Sequence, residues 1–333
     1  MDTDRYSRQL RLKEFSEKDQ EQLLKSKIAI IGIGATGTVV AELLTRAGIG
    51  NITIADRDYI EKSNLQRQTL FDEKDIGKAK AEIAKEKLRK INSEINITSK
   101  VCDINAANIE KIIDEKDLII DCTDNIETRF LINDCSMKHK IPWIYIAAIG
   151  ATGATMNFVP KDRPCFRCVF KDIPKGSTET CETSGILNSA STAIASFAAA
   201  QAIKILTDKK HSTTLTYIDL WDQKIDRIHV KKRTACPSCK GDYEFLERKK
   251  ETKIITLCGK GAYQIVPAKE KKLDLVKMYP RFKNIGTASV FGPVLHFRHD
   301  LIDISIFNDG HAIIKNVKSA VEAKSIYSKY VGN

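Results

Sequence analysis

The sequence of 333 residues lacks the features of a membrane, secreted or nucleic-acid-binding protein. No uninterrupted apolar run reaches the roughly 20 residues that cross a bilayer, and no apolar core precedes a small-residue cleavage site near the start. No Lys/Arg cluster is longer than three residues, so the net charge of +11 is spread over many surfaces. We therefore expect a cytoplasmic protein with no membrane contact and no direct contact with nucleic acid.

Internal repeats and low-complexity tracts are also missing, and the composition is 42% hydrophobic and 29% charged. A globular chain of this length can bury one large core and one smaller one. Nine cysteines are present. In a cytoplasmic protein they indicate metal ligation or thiol chemistry more than disulfides.

Strand and helix patterns alternate from residue 26 onward. A buried strand, a glycine turn, a helix and a second strand occupy residues 27–58, and a lysine-rich helical pattern covers 77–92. Further strands are predicted at 95–104, 117–122 and from 142, with helices over 127–140 and 184–206. This alternation predicts an α/β fold with a doubly wound, Rossmann-like, mainly parallel sheet whose ligands lie at the carboxyl ends of the strands.

The pattern changes after residue 240. A charged stretch is followed by strand-like and helical segments and by a hairpin turn at Asn308-Asp309-Gly310. We predict two domains, residues 1–240 and a small α+β domain over 241–333.

A nucleotide site is indicated by Gly32-x-Gly34-x-x-Gly37, which lies between a strand and a helix. Backbone N–H groups and the positive helix end can hold a phosphate there. Asp56, at the end of the second strand, is placed to accept hydrogen bonds from a ribose diol. Up to this point the pattern suits NAD.

The next stretch, from Ser63 to Phe71, favours another ligand. Arg67 is flanked by the amides Asn64, Gln66 and Gln68. A fixed guanidinium in that position suits a triphosphate better than the second half of a dinucleotide. Lys80, near the start of the following helix, supplies a second cation.

A carboxylate in the sequence DCTDN, Asp124, follows a buried strand where ligands gather and is a candidate for magnesium. The alternative is that Asp124 or Asn125 caps the next helix.

The strongest metal signal is a pair of Cys-x-x-Cys motifs, formed by Cys165, Cys168, Cys236 and Cys239. Four thiolates fill a tetrahedral zinc site, so this zinc would be structural.

Cys181 lies in a polar loop before the alanine-rich helix, where a lowered pKa would make it a nucleophile. Cys102, Cys122 and Cys135 lie in apolar patterns and are predicted to be core residues.

Together the segments RYSRQ, GIGATG, NLQRQ, KAK, CTDN, CFRC, TCETSG and CPSC resemble, in this order, the MoeB/ThiF/HesA family over about residues 4–240. Members of that family are prokaryotic relatives of ubiquitin-activating E1 enzymes. The resemblance implies a homodimer that uses Mg-ATP to adenylate the C-terminal Gly-Gly carboxylate of a ubiquitin-like sulfur carrier.

The resemblance also implies roles for individual residues. The four cysteines match the family's zinc ligands, Arg8 reaches the ATP of the partner subunit, and Cys181 matches a cysteine that some members bond covalently to the carrier. The expected catalytic residues are Arg8, Arg67, Lys80, Asp124 and Cys181. The expected nucleotide-binding residues are Gly32, Gly34, Ala35, Gly37, Asp56, Ser63, Asn64, Arg67, Lys80, Asp124 and Asn125.

The sequence departs from larger relatives in two respects. No inserted domain carries a thioester for transfer to an E2-type protein, and the last 93 residues lack a rhodanese-like cysteine loop, so sulfur is expected from another protein. Two other functions stay open at this point: an NAD-dependent oxidoreductase, and a non-catalytic binding module stabilised by zinc.

Overall fold

The structure, a computed structural model, describes residues 4–160, 164–171, 184–247, 253–256, 261–267 and 272–332. Its strands form one eight-stranded sheet and one six-stranded sheet. Cys181 and Cys258 lie outside the described residues.

The first sheet has the order β3-β2-β1-β4-β5-β6-β7-β8. The strands are β1 Lys27–Ile31, β2 Asn51–Asp56, β3 Asn96–Val101, β4 Leu118–Asp121, β5 Trp143–Ile149, β6 Thr152–Phe158, β7 Leu215–Asp219 and β8 Lys224–Ile228. Strands β1 to β5 pair in parallel, and β6, β7 and β8 pair antiparallel. The doubly wound, mainly parallel prediction is confirmed. The reversal begins at β6 because a two-residue connection can join only antiparallel strands.

Helices cover the faces of this sheet. They are α1 Ser7–Leu10, α2 Glu17–Lys25, α3 Ala35–Ala47, α4 Lys80–Ile91, α5 Ile109–Ile113, α6 Ile126–His139, α7 Phe166–Val169, α8 Asn188–Leu206 and α9 Glu244–Glu247. By length and composition α8 could cross a membrane. In this fold it packs on α3, β5 and β6. A Cβ on Gly153 of β6 would lie 2.7 Å from the Cβ of Ile194, so the glycine lets this helix approach the sheet closely.

The turn between β1 and α3 requires two of its three glycines. Gly32 has a φ of +86°, and a Cβ there would lie 2.8 Å from the carbonyl oxygen of Cys122. A Cβ on Gly37 would lie 2.2 Å from the carbonyl oxygen of Gly32, whereas the nearest atom to a Cβ on Gly34 is 3.9 Å away. Gly32 and Gly37 therefore shape the turn, and Gly34 borders open space.

The second sheet is antiparallel and has the order β11-β12-β13-β14-β10-β9. The strands are β9 Lys253–Thr256, β10 Tyr263–Val266, β11 Thr287–Phe291, β12 Val294–His299, β13 Ile302–Phe307 and β14 Ala312–Lys315, and the helices are α10 Leu275–Lys283 and α11 Ala320–Tyr330. The predicted hairpin is confirmed, with Ile306 opposite Ala312. One face of the sheet packs on both helices. Residues of the opposite face, such as Phe307 and Ile313, belong to a separate apolar cluster with Ala79, just before α4.

The division into residues 1–240 and 241–333 remains a proposal. Leu246 of α9 belongs to the core of the first sheet, and the backbone N of Phe245 donates a hydrogen bond of 2.9 Å to Asp134 of α6. This packing favours a first domain that continues to Glu247.

Gly37→Ala is expected to destabilise the fold, because its Cβ collides with a backbone oxygen that has no room to move. We expect a loss of about 3 kcal/mol or more and a melting temperature lower by roughly 6–12 °C. Thermal unfolding followed by circular dichroism measures this. Gly34→Ala is the matched control and should melt close to the wild type. Equal melting of both variants and the wild type would contradict the steric explanation.

Candidate active site

A cavity of about 270 Å³ opens at the carboxyl ends of β1, β2, β3 and β4. The residue that directly follows each of these strands lines it: Gly32, Arg57, Cys102 and Cys122. This is the edge of the sheet at which the alternating pattern predicts a ligand.

Nine of the predicted site residues line this cavity. They are Gly32, Gly34, Ala35, Asp56, Asn64, Arg67, Lys80, Asp124 and Asn125. Gly37 lies buried under the glycine turn, and Ser63 contributes its carbonyl oxygen, which accepts a hydrogen bond of 3.0 Å from Arg67 Nη1. Arg8 is exposed on α1, outside the lining of this cavity.

Asp56 is almost fully buried and is held by the backbone. Its Oδ2 accepts a hydrogen bond of 2.6 Å from Ile33 N in the glycine turn, and its Oδ1 accepts one of 2.7 Å from Asp58 N. Burial and the nearby charge of Asp58 raise the pKa of Asp56. The carboxylate therefore links the end of β2 to the glycine turn at the position predicted for a ribose ligand.

Lys80, the first residue of α4, is only 6% exposed. Its Nζ lies 3.2 Å from Asp58 Oδ2. Burial alone would lower the pKa of Lys80, but the charges of Asp58 and Asp56 outweigh it and raise that pKa. Lys80 is therefore a cation inside the cavity at neutral pH, next to a carboxylate that sequence reasoning missed.

The stretch after Ser63 presents both charge and amide groups to the cavity. The Asn64 carboxamide is buried, and its Oδ1 accepts a hydrogen bond of 3.1 Å from Glu61 N, which orders the turn that carries Arg67. Gln68 is 4% exposed, and within the described part of the chain its Oε1 has no hydrogen-bond partner. A buried amide oxygen without a partner at a cavity wall is available to a ligand donor.

The structure shows which residue of DCTDN caps the next helix. Asn125 caps α6, because its Oδ1 accepts hydrogen bonds of 2.8 and 3.2 Å from the backbone N of Glu127 and Thr128. Asp124 is exposed at the cavity wall. Its carboxylate is thus accessible to a cation.

Arg129 is a cavity residue that sequence reasoning missed. Its Nε lies 3.2 Å from Oδ2 of the fully buried Asp121, and its guanidinium lies 4.9 Å from the centre of the Tyr145 ring. In the sequence it resembles any surface arginine of a helix. The available signal was Asp121, a buried acid at a strand end that needs a cationic partner.

The four cysteines of the two motifs converge at one place. Their Sγ atoms all lie within 4.8 Å of one another, and four of the six pair distances are between 3.5 and 3.9 Å. A tetrahedral zinc with bonds of about 2.3 Å requires sulfur atoms about 3.8 Å apart, so the cluster could hold zinc. The cluster contacts α6, because Ser238 Oγ donates a hydrogen bond of 2.6 Å to Asp134. None of the four cysteines lines the cavity.

The remaining described cysteines are not part of this cluster. Cys122 and Cys135 are buried, as predicted, and burial raises the pKa of the Cys122 thiol well above its usual range. The prediction that Cys102 is a core residue is only partly right, because Cys102 is half-buried at the cavity wall.

Comparison with known proteins gives similarities over the first sheet and over the whole chain. A sulfur carrier protein ThiS adenylyltransferase of Bacillus subtilis is 39% identical over 336 residues, 99% of this chain and 100% of that protein. A molybdopterin-synthase adenylyltransferase of Escherichia coli is 33% identical over 238 residues, 71% of this chain and 95% of that protein. Among solved structures, Escherichia coli MccB with ATP has a TM-score of 0.63 at 25% identity, over 72% of this chain and 75% of that chain.

The family is equally clear. Residues 6–238 match the ThiF family, which confirms the resemblance found in the motifs. The matched relatives are named adenylyltransferases, so neither an oxidoreductase nor a non-catalytic binding module is favoured. The chain belongs to the ThiF family and is an adenylyltransferase.

Proposed function

We propose that the enzyme uses Mg-ATP to adenylate the C-terminal carboxylate of a ThiS-like, ubiquitin-like sulfur carrier that ends in Gly-Gly. The observation that carries this proposal is the shared cavity, in which a glycine turn, a ribose-type carboxylate, Arg67, Lys80 and Asp124 meet. The similarity of the whole chain to a ThiS adenylyltransferase supports a ThiS-like carrier.

Each end of the nucleotide has matching groups in the cavity. The N-terminal amides of α3 and the cations Arg67 and Lys80 suit the phosphates. Asp56 suits the ribose hydroxyls, since a carboxylate can accept further hydrogen bonds beside the two that it accepts from the backbone.

Adenylation then needs no general base, because the carrier's carboxylate is already ionised at neutral pH. One of its oxygens attacks the α-phosphorus, the bond from that phosphorus to the β-phosphate oxygen breaks, and pyrophosphate leaves. The protein must bring two anions into line and stabilise the charge that builds on phosphorus. Arg67 and Lys80 would supply positive charge for that task, and Arg8 of a second subunit in a homodimer would add a third cation.

Asp124 is the residue that would hold magnesium, since carboxylate oxygens are preferred ligands of this ion. When bound, magnesium neutralises phosphate charge. The acyl-adenylate product is an activated carboxylate. A sulfur nucleophile of a separate donor protein would attack its carboxyl carbon, and AMP would leave.

Exchange of labelled pyrophosphate into ATP tests the reaction. We expect exchange only with a Gly-Gly-ended carrier, and a loss of about 10²–10³-fold in Arg67→Ala and Asp124→Ala, because each removes a group that stabilises transition-state charge. Lys62→Ala is the control, because it changes an exposed lysine of the same segment outside the cavity lining. Absence of exchange with every such carrier of the source organism would refute the proposal.

We also propose that the cysteine cluster binds a structural zinc, in a cytoplasmic setting that keeps the thiols reduced. Bound there, the ion would join the segments around Cys165 and Cys236, which also contact α6. The N-cap residue of α6, Asn125, lies at the cavity.

Metal analysis of the purified enzyme should find about one zinc per chain. Cys236→Ser is expected to lose the metal and to melt at a lower temperature, because three thiolates hold zinc poorly and the buried cluster loses its centre. Cys102→Ser, outside the cluster, should keep the metal. A wild-type protein that contains no metal, and in which the four thiols of the cluster react with a thiol reagent, would contradict the assignment.

The role of Cys181 as a nucleophile remains a proposal, based on the position of this residue in the sequence. Its thiolate would attack the carboxyl carbon of the acyl-adenylate, AMP would leave, and a thioester with the carrier would form. Incubation with ATP and carrier in the absence of thiol reductant should give a covalent adduct in denaturing gels that Cys181→Ser abolishes and Cys102→Ser retains. No adduct in the wild type would restrict the enzyme to adenylation.

A further inference from the structure

The segment that directly follows β2, residues 57–61, is in contact with the second sheet. Lys315 of β14 forms an ion pair with Glu61, and its Nζ lies 5.3 Å from the centre of the Tyr59 ring. His311 Nε2 lies 3.3 Å from the carbonyl oxygen of Arg57. The second sheet therefore contacts this segment near its start, at its middle and at its end.

Apolar packing makes this contact a fixed one. A buried apolar cluster joins Val294, Phe307 and Ile313 of the second sheet to Ala79. Tyr59 and Val101 are packed against this cluster. His296 Nε2 lies 3.0 Å from the carbonyl oxygen of Gly77, and its ring meets the Tyr59 ring edge-on at 4.5 Å. Separation of the two sheets would expose this cluster to water.

Asp103 adds a polar link at the end of β3. Its Oδ1 accepts hydrogen bonds of 2.8 Å from Arg57 Nη1 and of 3.1 Å from Gln264 Nε2 of β10. Asp103 and both of its neighbours, Cys102 and Ile104, line the cavity. The second sheet thus also fixes the cavity wall formed by the end of β3.

Three described residues of the C-terminal region line the cavity themselves: Ile313 and Lys315 of β14, and Ala262, which directly precedes β10. Ile313 and Lys315 are two positions apart on β14 and so lie on one face of the sheet. Burial alone would lower the pKa of Lys315, but its hydrogen bond to Glu61 and the nearby Tyr59 outweigh that effect and raise the pKa. The ion pair with Glu61 is therefore present at neutral pH.

The strand order indicates which part of a nucleotide these residues meet. The glycine turn follows β1, Asp56 ends β2, and Cys102 follows β3, in the neighbouring order β1-β2-β3. With phosphates at the turn and ribose at Asp56, the base continues toward the end of β3. Ile313 belongs to the apolar cluster against which Val101, the last residue of β3, is packed. Ala262 lies two positions before Gln264, which donates a hydrogen bond to Asp103 just beyond that strand.

We propose that the C-terminal sheet forms the wall of the base end of the nucleotide site. Ile313 and Ala262 contact the purine. Lys315 is a positioning residue that, through its ion pair with Glu61, holds the segment after β2. This inference rests on the proposed use of ATP and assigns a role in nucleotide recognition to a domain that lies beyond the family match at residues 6–238.

Equilibrium binding without carrier tests the wall with two probes, ATP and inorganic tripolyphosphate, which has no base or ribose. Ile313→Ala and Lys315→Ala are each expected to weaken ATP binding about 3- to 10-fold, because apolar contact or segment order is lost. Binding of tripolyphosphate should stay within twofold of the wild type. Lys315→Arg, which keeps the cation, should restore ATP binding, and Lys324→Ala, on an exposed site of α11, should bind both probes normally.

Three outcomes would overturn the inference: unchanged ATP binding in both variants, equal weakening of both probes, or a wild-type protein that does not bind ATP. If Ile313→Ala does not fold, Ile313→Val and Lys315→Ala, the latter at a half-buried side chain, give the same comparison. Carrier-dependent pyrophosphate exchange is measured in parallel. If the wild type catalyses exchange but the variants bind ATP as tightly as the wild type, only the proposed wall is refuted. If the variants bind ATP more weakly but the wild type catalyses no exchange, only the proposed reaction is refuted.

Discussion

The cavity depends on one buried carboxylate. Asp56 accepts a hydrogen bond from Ile33 in the glycine turn and another from Asp58 in the segment after β2, at 2.6 and 2.7 Å. These bonds join the glycine turn to the segment after β2. That segment carries Asp58, the partner of Lys80, and is in contact with the second sheet. Burial of a charged acceptor is tolerated only where donors meet it, so the turn and the segment must keep this arrangement.

Charge balance follows from that arrangement. Lys80 is paired with Asp58, and Arg129 is paired with Asp121, so both of these buried cations have a carboxylate nearby. Arg67 donates a hydrogen bond to the neutral carbonyl oxygen of Ser63. We interpret Arg67 as the cation most available to an incoming phosphate, and Lys80 as a cation that can exchange a carboxylate for a phosphate at little desolvation cost.

The cavity and the cysteine cluster are stabilised by different contacts. At the cavity, the second sheet packs against the segment after β2 and against Asp103. At the cysteine cluster, Asp134 of α6 accepts hydrogen bonds from Ser238 and from the backbone of Phe245, which joins that helix to these later residues. Both contacts join segments that are far apart in the chain, so both reduce the freedom of the site residues between them.

Local sequence determined much of this protein. The βαβ alternation, the glycine turn and the hairpin at Asn308-Asp309-Gly310 each depend on residues close together in the chain, and their elements formed as predicted. The approach of Arg129 to Asp121 and of Gln264 to Asp103, across 161 positions, was decided only by tertiary packing. So was the placement of Ile313 and Lys315 at the cavity, because the face on which a sheet docks is set by apolar contacts with distant segments, which no local periodicity encodes.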